Sequence, residues 1–480
     1  MGKLRDTIEK IKENDRQPEN MKSKEYLGFA LGRFCFESIK KMYEGYIHPY
    51  YLSLGVSSTK AGAAIMVQKA YDAVNDPVIA AVIDNRKDIS KGRFKPFIAP
   101  FIPFLVVTSI LMFLIPGFES ASAILAWGFM TYVIWSTLNT IASVSFEAIS
   151  TVLSADPDER NRYTTIGNIG FTLAGALPGL IPAAYGYFVD TRGWSQANYY
   201  TMCAVLFSVM GGVAGIFTKN LKERIFPEQK KESIKESFKL LFQNKELLIL
   251  WSTDIPQVIS SAAGPTSWQY YVHCIGNPLW QTIQWMICGI PQAVVQPLAP
   301  FFIKRYRPSR IIMATSILNG LSFLVLYPLT KHFGYNSWQG IVFLLIFASL
   351  GFIPSGIVGI AKRILQINTF DYVAAKTGKR AEATSLALTG TLSKLLWAFA
   401  SFLGGIALDY VGFIPGDNIP QSDVTKAGLL FVFTMLPAIG SLLSIIPLFF
   451  FKLEGREFER RMAELAARGS VMAEIETELE

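Results

Sequence analysis

The chain has 480 residues, of which 51% are hydrophobic, 13% aromatic and only 17% charged, with positive mean hydropathy and a net charge of +8. A soluble protein of this length divides into two or three domains and carries more charge, so the composition excludes that class and points to an all-α polytopic membrane protein. The excess of Lys and Arg is scattered in short segments between apolar runs, which argues against nucleic acid as a partner.

Residues 1–25 are charged throughout and lack an apolar core, so they read as a cytoplasmic N-terminal segment and not as a secretory signal. Twelve spans are then expected near 26–52, 60–84, 95–116, 121–153, 163–188, 197–218, 246–271, 279–304, 310–330, 338–366, 382–411 and 427–452. The first carries Arg33, Glu37, Lys40 and Glu44 at i, i+4, i+7 and i+11, with Lys41 beside them. Such a face cannot look at lipid and is expected to line a cavity between helices. The second holds Asp72 and Asp76, four residues apart and so on one helical face. Carboxylates at membrane depth cost several kcal/mol unless they face protein, water or an ion, and usually mark a transport pathway. Either one of them pairs with a cation as structural glue, or the two together hold an ion.

A basic loop follows: Arg86, Lys87, Lys91, Arg93 and Lys95. Inner loops carry 22 Lys and Arg, and outer loops four (Lys60, Arg192, Lys331, Lys426), which places both termini in the cytoplasm. Pro178-Gly179, Gly264-Pro265, Pro291 and Pro354 mark expected breaks in the spans. Glu147 and Ser143 in span four, Lys69 in span two, Lys362 and Arg363 in span ten, and Lys394 in span eleven are further polar groups at membrane depth. Trp135, Trp268, Trp285 and Trp397 offer ring faces, although most Trp in membranes are packing or interface anchors. The four cysteines have no metal or redox spacing and read as packing residues. No nucleophile–base spacing or metal-ligand cluster indicates an enzyme.

The sequence repeats itself. Asp76-Pro77 before a basic loop is echoed by Gln296-Pro297 before Lys304-Arg305-Tyr306-Arg307, and Asp158-Glu159-Arg160-Asn161-Arg162 by Gly378-Lys379-Arg380-Ala381-Glu382. Both pairs share an offset of 220 residues (297 against 77, 380 against 160). Two six-helix bundles, 26–218 and 246–452, are therefore expected. Between them 219–245 is a charged cytoplasmic linker with Ile234, Phe238 and Leu241 on one helical face, and 453–480 is a cytoplasmic C-terminal helix.

Several of these segments resemble the glycoside–pentoside–hexuronide:cation symporters, a branch of the major facilitator superfamily that includes the melibiose carrier. The likeness rests on Tyr71-Asp72-Ala73-Val74-Asn75-Asp76-Pro77, Gly92-Arg93-Phe94-Lys95-Pro96, Asp156-Pro157-Asp158-Glu159-Arg160-Asn161-Arg162, and Asp371-Tyr372 followed by Lys376-Thr377-Gly378-Lys379-Arg380-Ala381-Glu382. It runs from about Gly28 to Lys452. The resemblance implies a secondary active symporter in the cell membrane, with a coupling ion (sodium, or a proton) and no other cofactor, working as a monomer on a sugar-like solute. It places the cation at Asp72, Asn75, Asp76 and Thr140, with Asp72 and Asp76 as the metal ligands if the ion is sodium. Arg93, Asp158, Arg160, Asp371, Arg380 and Glu382 become gate and loop elements, helix capping being the alternative for each.

Where the melibiose carrier has its sugar-binding acids, this chain has Phe36 and Ser143; its span-five arginine falls on Asn168 and its span-ten tryptophan on Arg363. Melibiose itself is therefore not the expected substrate. Glu37, Lys40, Lys41, Ser143, Glu147, Arg363 and Lys394 are the candidate substrate residues, and their surplus of cations suits an acidic substrate such as a hexuronide. Internal pairing, of Glu37 with Lys40 or Lys41 and of Asp72 with Lys69 or Lys394, is the competing reading. An amphipathic lipid-like or other non-sugar anionic solute is the alternative cargo.

Overall fold

The computed structural model describes residues 21–84, 92–154, 156–225, 244–377 and 382–465, and among them every regular element is helical. Fifteen helices matter for the site: α1 (Ser23–Ser53), α2 (Ser58–Asp84), α3 (Ile102–Met112), α4 (Ala121–Ile149), α5 (Pro157–Ala176), α6 (Gln196–Gly215), α7 (Lys245–Ser252), α8 (Asp254–Ser261), α9 (Gly264–Gln269), α10 (Leu279–Val295), α11 (Pro308–Phe333), α12 (Trp338–Phe352), α13 (Ser355–Thr377), α14 (Glu382–Tyr410) and α15 (Asp423–Leu443). The linker stripe Ile234, Phe238 and Leu241, the loop cations Arg86, Lys87 and Lys91, and the tail beyond residue 465 lie outside the described residues.

Nine helical stretches among the described residues are long and apolar enough to cross a membrane. α1 and α2 have the length, 31 and 27 residues, but their charges keep them out of that set. Residues 246–271, expected as one span, are divided among α7, α8, α9 and the start of a π-helical turn, Tyr270–Ile275. Pro178 sits in a 3-10 turn, Leu177–Leu180, Pro265 opens α9 and Pro354 separates α12 from α13, whereas Pro291 lies inside an unbroken α10.

By its contacts the chain forms two units: Met1–Tyr50, Tyr71–Ile181 and Gln196–Lys230 in one, and Tyr51–Ala70, Pro182–Ser195 and Lys231–Glu480 in the other. The division therefore does not follow the linker alone, because the α1–α2 turn with the first part of α2, and the segment before α6, pack with the later residues.

In the first unit an aromatic ladder joins α1 to α4. Phe29 stacks on Phe146 at 5.2 Å, Phe36 tilts against the same ring, and Tyr43 lies 4.8 Å from Tyr132 and 5.4 Å from Trp135. Such ring pairs contribute about 0.5–1.5 kcal/mol each beyond their buried area. α5 closes on the other side of α1, so tightly that a Cβ at Gly170 would come within 2.1 Å of the Ala30 carbonyl oxygen. The chain following α6 fastens the helix starts: Arg224 pairs with buried Glu25, and Glu223 accepts from the backbone N–H groups of Arg93, Phe94 and Lys95.

In the second unit α11 packs against both α12 and α15, and Asn319 on α11 accepts from Ser441 on α15 at 2.8 Å. α8 lies against α14 and α15. α2 begins in this unit, and its first two N–H groups, Ser58 and Thr59, donate to the Asp409 carboxylate of α14 at 3.1 and 2.9 Å.

Candidate cation and substrate site

The register of α2 decides where its carboxylates go. Val74, Val78 and Val82 recur every fourth residue and are exposed, an apolar face suited to lipid. Asp72, 8% exposed, and half-buried Asp76 lie roughly opposite, and Asn75, also 8% exposed, sits between them and the valines. Both polar groups are turned onto α4.

α4 receives them with a row of hydroxyls. Tyr132 donates to Asp72 Oδ2 and Ser136 to Asp72 Oδ1, each at 2.5 Å, and Thr140 donates to Asp76 Oδ1 at 2.7 Å. Asn75 Nδ2 reaches Thr140 Oγ1 at 3.4 Å, and the Tyr71 hydroxyl lies 2.7 Å from Thr137 Oγ1. The four residues expected for the cation are thus brought together in one network, with Tyr71, Tyr132, Ser136 and Thr137 added. Tyr132, Ser136, Thr140, Ser143 and Glu147 follow a 4-4-3-4 spacing on one face of α4, a helical signal that only its last three members had drawn notice to. Chemically the network offers carboxylate, amide and hydroxyl oxygens, the donor type that a hard cation selects. Among the described residues no group of three or more His, Cys, Asp or Glu side chains is placed to hold a metal ion, so any ion here depends on the neutral oxygens as much as on the two carboxylates.

The charges of α1 are arranged differently from a bare cationic face. Lys41 lies 3.4 Å from Glu37 and 2.8 Å from Glu44, and Lys40 lies 3.4 Å from Glu44. These are same-helix pairs, so the internal pairing of Glu37 with Lys41 is present. Glu147 is taken by Arg33 at 2.6 Å, across from α4 to α1. In the second unit Lys362 on α13 pairs with Asp254 on α8, a carboxylate that sequence reading passed over. Ser143 is half-buried, and Arg363 and Lys394 are exposed. Trp135 and Trp268 are core residues, packed on Tyr43 and Tyr185, while Trp285 and Trp397 are exposed. All four cysteines are free and buried.

The loop residues make local contacts. Asp156 accepts from Asp158 N–H and starts α5, and Arg160 donates to the Ser154 carbonyl at 2.8 Å. Arg93 has its backbone N–H on Glu223 and its guanidinium over the Phe94 ring. Asp371 is half-buried on α13. Arg380 and the Glu382 side chain lie outside the described residues.

Apolar helices in this number, with Asp72 and Asp76 turned off the exposed valine face, mark a multi-pass membrane protein. Residues 28–455 match the family described as MFS/sugar transport protein, and the chain belongs to that family, in its glycoside–pentoside–hexuronide symporter branch. It is 27% identical over 439 residues to a putative sulfoquinovose importer of Salmonella typhimurium, with 86% of each chain covered. It is 21% identical to the glucuronide carrier protein homolog of Escherichia coli, over 94% of this chain and 96% of that one. Among solved structures, a variant of the nucleoside transporter NupG superposes with a TM-score of 0.61 at 15% identity, covering 88% of this chain and 99% of its own. That likeness carries the fold, the major facilitator architecture.

Proposed function

We propose that this transporter couples the movement of a cation, sodium or a proton, to that of an acidic sugar or glycoside, with the ion held between α2 and α4. The observation that carries the reading is the seating of Asp72, Asn75 and Asp76 on the hydroxyls of α4. Two carboxylates in a low-dielectric setting gain most from neutralisation by a bound cation, and neutral Asn and Thr oxygens favour a metal ion over a bare proton. A proton would do the same work by binding one of the two carboxylates.

The acidic substrate is supported by Phe36 and Ser143, which stand where the melibiose carrier has sugar-binding acids, and by relatives named for sulfoquinovose and glucuronide. Glu37, Lys40, Lys41, Ser143, Glu147, Arg363 and Lys394 are its candidate surroundings. The loop asymmetry in Lys and Arg supports a cell-membrane carrier with both termini in the cytoplasm.

Uptake into vesicles, driven by an imposed sodium or proton gradient, tests the reading. Asp72→Asn and Asp76→Asn are expected to abolish cation stimulation while the purified proteins stay folded. Normal stimulation in both variants would remove the ion from this site. Accumulation of a lysolipid or a non-sugar anion in place of glucuronate or sulfoquinovose would replace the sugar as cargo.

A further inference from the structure

Two ion pairs in this molecule stand in matching places with opposite polarity. In the first unit Arg33 on α1 holds Glu147 on α4. In the second, Asp254 on α8 holds Lys362 on α13. Asp254 follows Arg33 by 221 residues (254 against 33), the separation of Glu246 from Glu25 at the starts of the same two spans. Each pair therefore ties the first span of its half to the fourth, with the cation on the first span in one case and on the fourth in the other.

Neither pair is sealed. The Arg33 and Glu147 side chains are 25% and 55% exposed, and Lys362 and Asp254 are both 24% exposed. Charges on spans do not face lipid, so this exposure is to a water-accessible space within the protein. Arg33 also has unused capacity. One nitrogen, Nη1, meets one oxygen of Glu147, while Nε is buried without a partner. A guanidinium has five donors in a planar fork suited to two oxygens of one acid group. Lys40 and Lys41 differ, since each is held by carboxylates three or four residues away on its own helix.

We propose that Arg33 is the residue that reads the acid group of the substrate, and that Glu147 is its displaceable guard. Resting on the acidic-sugar reading above, this assigns the recognition to the α1–α4 pair: a carboxylate or sulfonate takes the place of Glu147 on Arg33, which turns its fork to meet two oxygens. The released Glu147, the most exposed member of the two pairs, passes into water. The Asp254–Lys362 pair keeps the corresponding helices of the other unit together.

The test is equilibrium binding of glucuronate, sulfoquinovose and neutral glucose to the purified protein and its variants. Glu147→Gln removes the competing charge and is expected to bind both acids roughly tenfold more tightly, with glucose unchanged. Arg33→Gln is expected to weaken the acids roughly ten- to hundredfold, the loss of a charged hydrogen-bond partner, again without moving glucose. Arg33→Lys is expected to restore part of that loss. The charge swap R33E/E147R keeps an ion pair and is expected to unfold near the wild-type temperature, yet to lose the preference for acids. Equal shifts for acids and glucose in the single variants, or a swap that keeps the preference, overturn the proposal and reduce the pair to a structural clasp. Wild type that binds glucose but neither acid, or no sugar at all, overturns the acidic-sugar reading and this inference with it.

Discussion

Asp72 shows how a charge is kept inside a span. Both of its oxygens receive a hydroxyl proton, from Tyr132 and Ser136, side chains that are 0% and 3% exposed. Each donor stabilises the ionised carboxylate, and a charge-assisted hydrogen bond contributes roughly twice what a neutral one does. Ser136→Ala and Tyr132→Phe each remove one donor and leave the charge in place. Both are expected to raise the cation concentration needed for half-maximal uptake, by about tenfold for a loss near 1.4 kcal/mol. An unchanged cation dependence in both would mean that the hydroxyls only fill space. The acids themselves were legible in the sequence, because carboxylates in an apolar run have few bland explanations. Their hydroxyl partners were not, since Ser and Tyr on a helix are ordinary and only the 4-4-3-4 spacing ties them to Thr140. Charge counting was also a weak guide on α1, where Lys40 and Lys41 find their acids on the same helix.

Among the elements, α2 depends on a cap from far away in sequence. Its first turn has Ser57, Ser58 and Thr59 available for a local cap, yet the Ser58 hydroxyl has no partner and Asp409 takes the two N–H groups. A carboxylate at a helix N-terminus gains both from those donors and from the helix dipole. α14 approaches closely enough to deliver it because position 405 is glycine; a Cβ there would lie 2.3 Å from the Ser58 carbonyl oxygen. Asp409→Ala should lower stability by about 1–2 kcal/mol, the usual worth of a cap, and Asp409→Asn by less. Thermal unfolding in detergent reads this out, and an Asp409→Ala protein as stable as wild type would show that Ser57 takes over the cap. Nine of the expected spans were readable from apolar length, and three of the four Pro or Gly-Pro breaks fall at real interruptions. The fourth, Pro291, lies within α10. In span seven the α8–α9 break was legible at Gly264-Pro265, whereas the α7–α8 break at Thr253 has no Pro or Gly to mark it.

On the scale of the whole molecule, the internal repeat reappears as matching fasteners. Glu25 at the start of α1 pairs with Arg224 beyond α6, and Glu246, at the start of α7, pairs with Arg461 beyond α15. Glu223 in the first half holds the N–H groups of Arg93, Phe94 and Lys95, and Glu454 in the second holds Ser309 through its N–H and hydroxyl. The 220-residue offset of the loops foreshadowed this duplication, but the fasteners themselves were hidden, since single Glu and Arg residues at span ends look like solvated charge.

The two acid–arginine fasteners should nevertheless differ in strength, because one is buried and the other is not. Side chains of Arg224 and Glu25 are 8% and 3% exposed and meet twice, at 2.9 and 2.7 Å. Those of Arg461 and Glu246 are 25% and 13% exposed and meet at 3.5 Å. Burial pushes the Glu25 carboxyl up, but the hydrogen bonds from Arg224 and the Lys22 N–H, with the Arg224 charge, outweigh it and hold the group below its ordinary range. A carboxyl lowered in the folded state contributes stability that is present above its unfolded pKa, ~4.3, and is lost as pH falls through the lower native value. Unfolding of the wild type in detergent should therefore be insensitive to this group between about pH 6 and 8 and weaken below about pH 4, while Glu25→Gln flattens that acid limb. Arg224→Ala strands a buried carboxylate and should cost about 3–5 kcal/mol at neutral pH, whereas Arg461→Ala should cost about 1 kcal/mol or less. Equal losses in the two variants would mean that burial does not distinguish the fasteners. A Glu25→Gln protein with the wild-type acid limb would place the acid-sensitive group elsewhere in the chain.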